Sequence, residues 1–143
     1  MTKEQAAIQY ASRMARGLYD ESGFVWLENA LSLYLRCGGK ISMDRCLGLP
    51  TSEGKLRLLQ RNQWIAVAAD CIEAASPRAA AGALEDELNR FLSRGPWREW
   101  RHAGDPPADA SKLRCALFHI AKANEGESLS AKQLHRILDI NKR

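Results

Sequence analysis

Two tryptophans, Trp97 and Trp100, alternate with basic residues in the segment GPWREWRH, residues 95–102. The basic residues in and beside this segment are Arg94, Arg98, Arg101 and His102. Guanidinium groups can bind backbone phosphate, and indole rings can stack on the bases of a single strand. If the segment forms a helical turn, the indoles share one side and the basic side chains lie on an adjacent side. Because exposure of two indoles lowers solubility, we predict buried tryptophans and outward arginines that contact phosphate.

Residues 42–61, SMDRCLGLPTSEGKLRLLQR, partly match a helix-turn-helix, in which a glycine turn separates a short helix from one that reaches the major groove. The candidate DNA contacts in this segment are Lys55, Arg57 and Arg61. Asp44 stands where a small apolar residue normally packs, and Gly54 falls where the second helix is usually anchored. An ordinary helix start with a basic outer face is therefore the alternative. A second match, over residues 128–143, stops where the recognition helix should begin.

Residues for catalysis or metal binding do not form a recognisable site. Cys115 and His119 are four residues apart, and His135 could approach them, but a structural zinc site usually needs four ligands. The chain has no phosphate-binding glycine loop, no nucleophile elbow and no H-E-x-x-H motif. We therefore predict that the protein is not an enzyme and that it holds no cofactor, metal or small-molecule ligand.

Helical periodicity runs through the chain, and no alternating strand pattern appears. The predicted helices span residues 2–18, 24–37, 42–47, 52–75, 77–93, 111–124 and 130–140. Capping boxes mark two of the starts, at Thr2 with Gln5 and at Ser130 with Gln133. The helix at 24–37 is apolar on nearly every side, which predicts a central position. The predicted fold is an all-α bundle of about six to seven helices, with a Pro-, Gly- and Trp-containing connector at residues 94–110.

The chain of 143 residues is long enough for one self-sufficient core. We predict a single helical domain over residues 1–143, because a pair of short helices rarely holds its own core. The alternative is a bundle at 1–93 with a C-terminal helical hairpin at 111–143, docked through the connector.

The N-terminus carries charge early and has no apolar signal region, and no stretch approaches the ~20 apolar residues of a membrane span. We therefore expect a cytoplasmic protein without a membrane partner. Its four cysteines have no short repeated spacing, which predicts reduced thiols in or near the core.

The formal net charge is +4, and residues 76–143 carry twelve basic and nine acidic side chains. This local excess favours a nucleic-acid-binding accessory protein that contacts DNA or RNA backbone phosphate, alone or as a small subunit of a nucleoprotein complex. The alternative is a protein-interaction module, either a regulator of another protein or a helical homodimer, since tryptophan and arginine often anchor interfaces. We favour the first of these because the charge excess is localised.

Overall fold

The computed structural model describes residues 2–141, and within this range the chain is all-helical, as the periodicity predicts. The eight helices of the described range are α1 (Lys3–Ala15), α2 (Glu21–Arg36), α3 (Met43–Leu47), α4 (Glu53–Asp70), α5 (Pro77–Ser93), α6 (Trp97–Trp100), α7 (Lys112–Ala123) and α8 (Ala131–Asn141). None of the helices in this range is long and apolar enough to cross a bilayer.

Local hydrogen bonds at helix N-termini confirm the predicted start signals. At α1, the Thr2 amide donates to Gln5 Oε1 (2.7 Å) and the Gln5 amide donates to Thr2 Oγ1 (3.1 Å). At α8, the Ser130 amide donates to Gln133 Oε1 (3.0 Å) and the Gln133 amide donates to Ser130 Oγ (3.2 Å). Each capping box satisfies two amides that the first turn leaves unpaired, so the residue types alone specify these starts.

Two helices end earlier than their apolar patterns predict. Helix α1 stops at Ala15 and not at Leu18, because Gly17 adopts a left-handed conformation (φ +79°). The Leu18 amide then donates back to a carbonyl of the last turn (2.9 Å), which closes the helix as in a Schellman motif. Helix α4 stops at Asp70 and not at Ala75, because the next two amides bond to carbonyls three residues back, at 3.1 Å each, and tighten the chain.

The chain divides into two compact units, residues 1–60 and 61–143, and the division falls within α4. The first unit contains α1 to α3 and the beginning of α4. The second contains the rest of α4 and α5 to α8. The expectation of one folding domain over residues 1–143, like its alternative division at residues 94–110, stays a prediction.

The second unit has an extensive apolar core in which α5 packs against α6, α7 and α8. Its largest fully buried side chains are Ile65, Leu84, Leu88, Leu117, Phe118, Ile120 and Leu134. Burial of each such side chain stabilises the fold by roughly 1.5–3 kcal/mol relative to exposure. This core therefore supplies a rigid support for the connector segment that crosses it.

The described part of the first unit buries few residues, and they are mostly small: Ala7, Ile8, Gly23, Ala30 and Pro50. The prediction of a central α2 is wrong, since half of the large apolar residues of that helix are exposed and none is fully buried. The physical reason is that α1 and α3 pack against α2 within this unit but cover only one of its sides. A helix that is apolar all round is in this case half covered.

Candidate functional site

The two tryptophans of the connector point into the core of the second unit, as the sequence predicts. Trp97 packs against Phe91 and Phe118, with ring centroids 6.3 and 6.2 Å apart. Trp100 meets the Phe91 ring edge-on at 6.0 Å. Both indoles are half-buried against this core. Their role is therefore to fasten α6 to α5 and α7, and stacking on an unpaired base is not needed to explain them.

The arginines of the same segment are exposed. Arg94, Arg98 and Arg101, which we call the connector arginines, all lie on the surface of the second unit. The Lys122 ammonium donates to the Arg101 carbonyl (2.6 Å) and ties the end of α6 to α7. The connector arginines are thus carried on an anchored segment while their guanidinium groups stay in water.

The other three predicted phosphate contacts, Lys55, Arg57 and Arg61, lie along α4. Lys55 forms an ion pair with Glu4 of α1 at 2.8 Å. Arg61 donates to the side-chain oxygen of Asn124 (3.0 Å) and to that of Asn62 (3.1 and 3.2 Å). Arg57 is exposed. A phosphate contact at Lys55 or Arg61 would compete with these interactions, and phosphate binding by α4 stays a prediction.

The segment proposed as a helix-turn-helix does contain two helices, α3 and α4, separated by residues 48–52. Gly48 ends α3 in the left-handed conformation (φ +73°), which is the turn role expected of it. The Trp26 indole donates to the Leu47 carbonyl (2.9 Å), so α3 is fastened to α2. DNA binding through this segment stays a prediction.

One side of α2 forms an exposed apolar surface. Phe24, Leu31 and Leu35 are 52%, 43% and 75% exposed, and their spacing of seven and eleven residues places them along one line of the helix. Tyr19, 64% exposed, stacks on Phe24 with ring centroids 6.0 Å apart. We call these four residues the α2 ridge. Apolar residues at such spacing are typical of a seam between two helices.

The opposite side of α2 is the one that packs within the first unit. Gly23 and Ala30, seven residues apart, are buried there, and Trp26 stacks on Tyr10 of α1 at 5.6 Å. This division of α2 was not predicted from the sequence, although the sequence contains a signal for it. Small residues at a spacing of seven mark the side where another backbone approaches closely, which leaves the large residues for the other side.

A groove of about 770 Å³ lies beside this packed side of α2, between α1, α2 and α3. Tyr10, Trp26 and Leu33 form part of its wall, and Cys46 also lines it. Its basic lining residues are Lys3, Arg36 and Arg45.

Cys115 and His119, which the sequence offered as candidate metal ligands, both contact other groups of the protein. Cys115 donates to the Ala110 carbonyl (3.7 Å), and burial raises the pKa of its thiol. His119 stacks on Trp64 with ring centroids 4.3 Å apart, and burial lowers the pKa of its imidazole. Within residues 2–141, no group of three or more His, Cys, Asp or Glu side chains is arranged to hold a metal ion. Packing explains the spacing of Cys115 and His119.

No protein family model matches the chain, and no curated protein or solved structure matches it either. The exposed surfaces of the molecule that suit a partner are the α2 ridge and the connector arginines.

Proposed function

We propose that this protein is a non-enzymatic, cytoplasmic protein-interaction module that forms a helical homodimer by docking the α2 ridge against the same ridge of a second copy. The observation that carries this proposal is the exposure of three large apolar side chains along one side of α2, extended by the exposed Tyr19 that stacks on Phe24. The sequence alone favours nucleic-acid binding. The distribution of exposed apolar residues instead favours the protein-interaction module.

The location of the exposed apolar residues supports an interface on the first unit. Of the exposed large apolar side chains in the described residues, every one except Ile140 lies between Leu18 and Leu58. Scattered exposed leucines are normal on protein surfaces, but a contiguous apolar patch marks an interaction site. The α2 ridge aligns its helical members along one side of α2 and includes two aromatic residues, a type enriched at interface centres.

The charges of α2 favour a second copy in the antiparallel orientation. Glu21 lies at the start of the helix and Arg36 at its end, both exposed and both flanking the ridge on the same side. An antiparallel two-fold pair places Glu21 of each copy near Arg36 of the other, and it also aligns the two helix dipoles favourably. Glu28 lies within the ridge, and a single charged residue in an apolar seam typically specifies register at some cost in affinity.

Sedimentation equilibrium over a range of protein concentrations tests this proposal. We expect a monomer–dimer equilibrium for the native protein, and a dissociation constant at least ~10-fold larger for Leu31→Glu, since truncating or charging an interface centre costs 1.4 kcal/mol or more. Leu58→Glu is the matched control, because Leu58 lies on α4 and has the same 43% exposure. It should leave the dimer unchanged. A native protein that stays monomeric at all concentrations would overturn the proposal.

The connector arginines carry a second candidate function, the nucleic-acid accessory role favoured by the sequence. Three exposed guanidinium groups on one anchored segment suit contacts to backbone phosphate of DNA or RNA. The observations that support this role are the charge and the exposure of the connector arginines, and the role does not involve the α2 ridge.

Binding to a DNA duplex at several salt concentrations tests this second function. We expect the logarithm of the binding constant to fall linearly with the logarithm of salt concentration, with a slope shallower by about 0.9 for each phosphate contact removed. Arg98→Gln combined with Arg101→Gln should therefore reduce the slope by roughly 2. Arg78→Gln, an exposed arginine at the start of α5, is the control. Absence of binding at low salt would exclude the duplex-binding role.

A further inference from the structure

Two cysteine side chains from different helices meet beside one residue of the first unit. Cys37 caps the C-terminus of α2, and Cys46 lies in α3. The Ile41 amide donates to Cys37 Sγ (3.4 Å), and Cys46 Sγ donates to the Ile41 carbonyl (3.7 Å). Both sulfur atoms therefore contact the backbone of the same residue. This juxtaposition depends on the loop between the helices, in which Gly38 and Gly39 both adopt positive φ angles, of +65° and +74°.

The surroundings make the two sulfur atoms chemically different. Hydrogen bonds from backbone amides, first that of Ile41 and then those of Gly39 and Lys40, lower the pKa of Cys37. Desolvation and the neighbouring Cys37 raise the pKa of Cys46. The thiolate is the reactive form of cysteine, and these surroundings favour it more at Cys37 than at Cys46.

We propose that Cys37 and Cys46 form a peroxide-reactive dithiol, in which Cys37 attacks hydrogen peroxide or an organic hydroperoxide and Cys46 resolves the product to a disulfide. The proposal does not rest on dimer formation through the α2 ridge. The pair would be a modification site that reacts with hydroperoxides, and the product would be an intramolecular disulfide.

The two steps balance. The Cys37 thiolate attacks the terminal peroxide oxygen and the O–O bond breaks, which leaves a sulfenic acid on Cys37. The group that leaves takes a proton, so hydrogen peroxide releases water and an organic hydroperoxide releases an alcohol. The Cys46 sulfur then attacks the sulfenic sulfur, the S–O bond breaks, and the hydroxide that leaves takes the Cys46 proton to become water. The two thiols lose two electrons in total, and the peroxide gains them.

The cross-link would join the end of α2 to α3, next to the point where the Trp26 indole holds the Leu47 carbonyl. Cys46 also lines the groove between α1, α2 and α3, so oxidation would change one wall of that groove. The remaining cysteines are differently placed. Cys71 directly follows α4 and donates to the Val67 carbonyl of that helix (3.4 Å), and burial raises the pKa of Cys115.

Peroxide titration of the full-length reduced protein, followed by thiol counting and peptide mass mapping, tests the proposal. We expect reactive thiols to fall from four to two, the native chain to lose about 2 Da, and the mapped disulfide to join Cys37 and Cys46. In Cys46→Ser, a dimedone adduct should accumulate on Cys37, because the sulfenic acid has no resolving thiol. In Cys37→Ser, Cys46 should stay reduced at the same peroxide concentration.

Cys71→Ser combined with Cys115→Ser is the matched control, since it keeps the pair and removes the other two thiols. It should form the disulfide at the native rate, and circular dichroism of each variant verifies that the helices are intact. Retention of four reactive thiols, a disulfide that includes Cys71 or Cys115, or a dimedone adduct mainly on Cys46 would each overturn the proposal.

Discussion

Replacing Phe91 by alanine is expected to lower the free energy of unfolding by about 3–5 kcal/mol, the cost typical of truncating a buried aromatic residue. The Phe91 side chain is 3% exposed and contacts both connector tryptophans, at 6.3 and 6.0 Å between ring centroids. Its loss leaves a cavity between α5 and α6 and removes the surface on which the indoles dock. Urea denaturation followed by circular dichroism measures the change.

The control for this prediction is Phe24→Ala, the same substitution at a side chain that is 52% exposed. Measured at concentrations where the protein is monomeric, it should cost about 1 kcal/mol or less, because little apolar area leaves the interior. A double-mutant cycle between Phe91 and Trp100 should give a coupling energy of roughly 0.5–1.5 kcal/mol. A Phe91→Ala cost below that of Phe24→Ala would contradict the docking of the connector.

Replacing Gly95 by alanine is expected to destabilise the protein by about 1–3 kcal/mol, the range typical of overpacking. A Cβ at this position would lie 2.7 Å from the Phe91 Cα and 2.8 Å from the Phe91 carbonyl oxygen. These are backbone atoms of the last turns of α5, and the Gly95 amide bonds to the Arg90 carbonyl there (2.7 Å). The clash can be relieved only by displacing the end of the helix or the connector.

Gly82→Ala is the matched control, and its expected effect has the opposite sign. Gly82 lies within α5, and a Cβ there meets no atom within 4 Å. Alanine should therefore stabilise the protein by about 0.5–1 kcal/mol, because glycine is the poorer helix former. Thermal denaturation of the two variants checks the pair. Equal effects at the two positions would contradict the close approach at Gly95.

Much of the secondary structure could be predicted from the sequence because its causes are local. The capping boxes at Thr2 and Ser130 satisfy amides within three residues, so the residue types specify the helix start. The inward direction of Trp97 and Trp100 also follows from local spacing, since residues three apart in a helical turn share a side.

The predicted site residues differ in their surroundings, and the contacts that cause this difference cannot be read from local sequence spacing. The connector arginines are exposed, as expected, because the tryptophans beside them take the buried side. Arg61 instead donates to Asn124, a residue 63 positions away. Its partner could not be inferred from spacing, because it depends on how α4 and α7 pack in the second unit.

The sequence by itself determined the helical class, most helix boundaries and the inward side of the connector, because hydrogen bonds and periodicity within a few residues control these features. Only the tertiary structure decided which side of α2 is covered, since that depends on where α1 and α3 pack. It also brought Cys37 and Cys46 to the same residue, Ile41, through a loop with left-handed glycines. The sequence shows which residues of a helix are apolar. Packing alone determines whether each of them belongs to a core or to an interface.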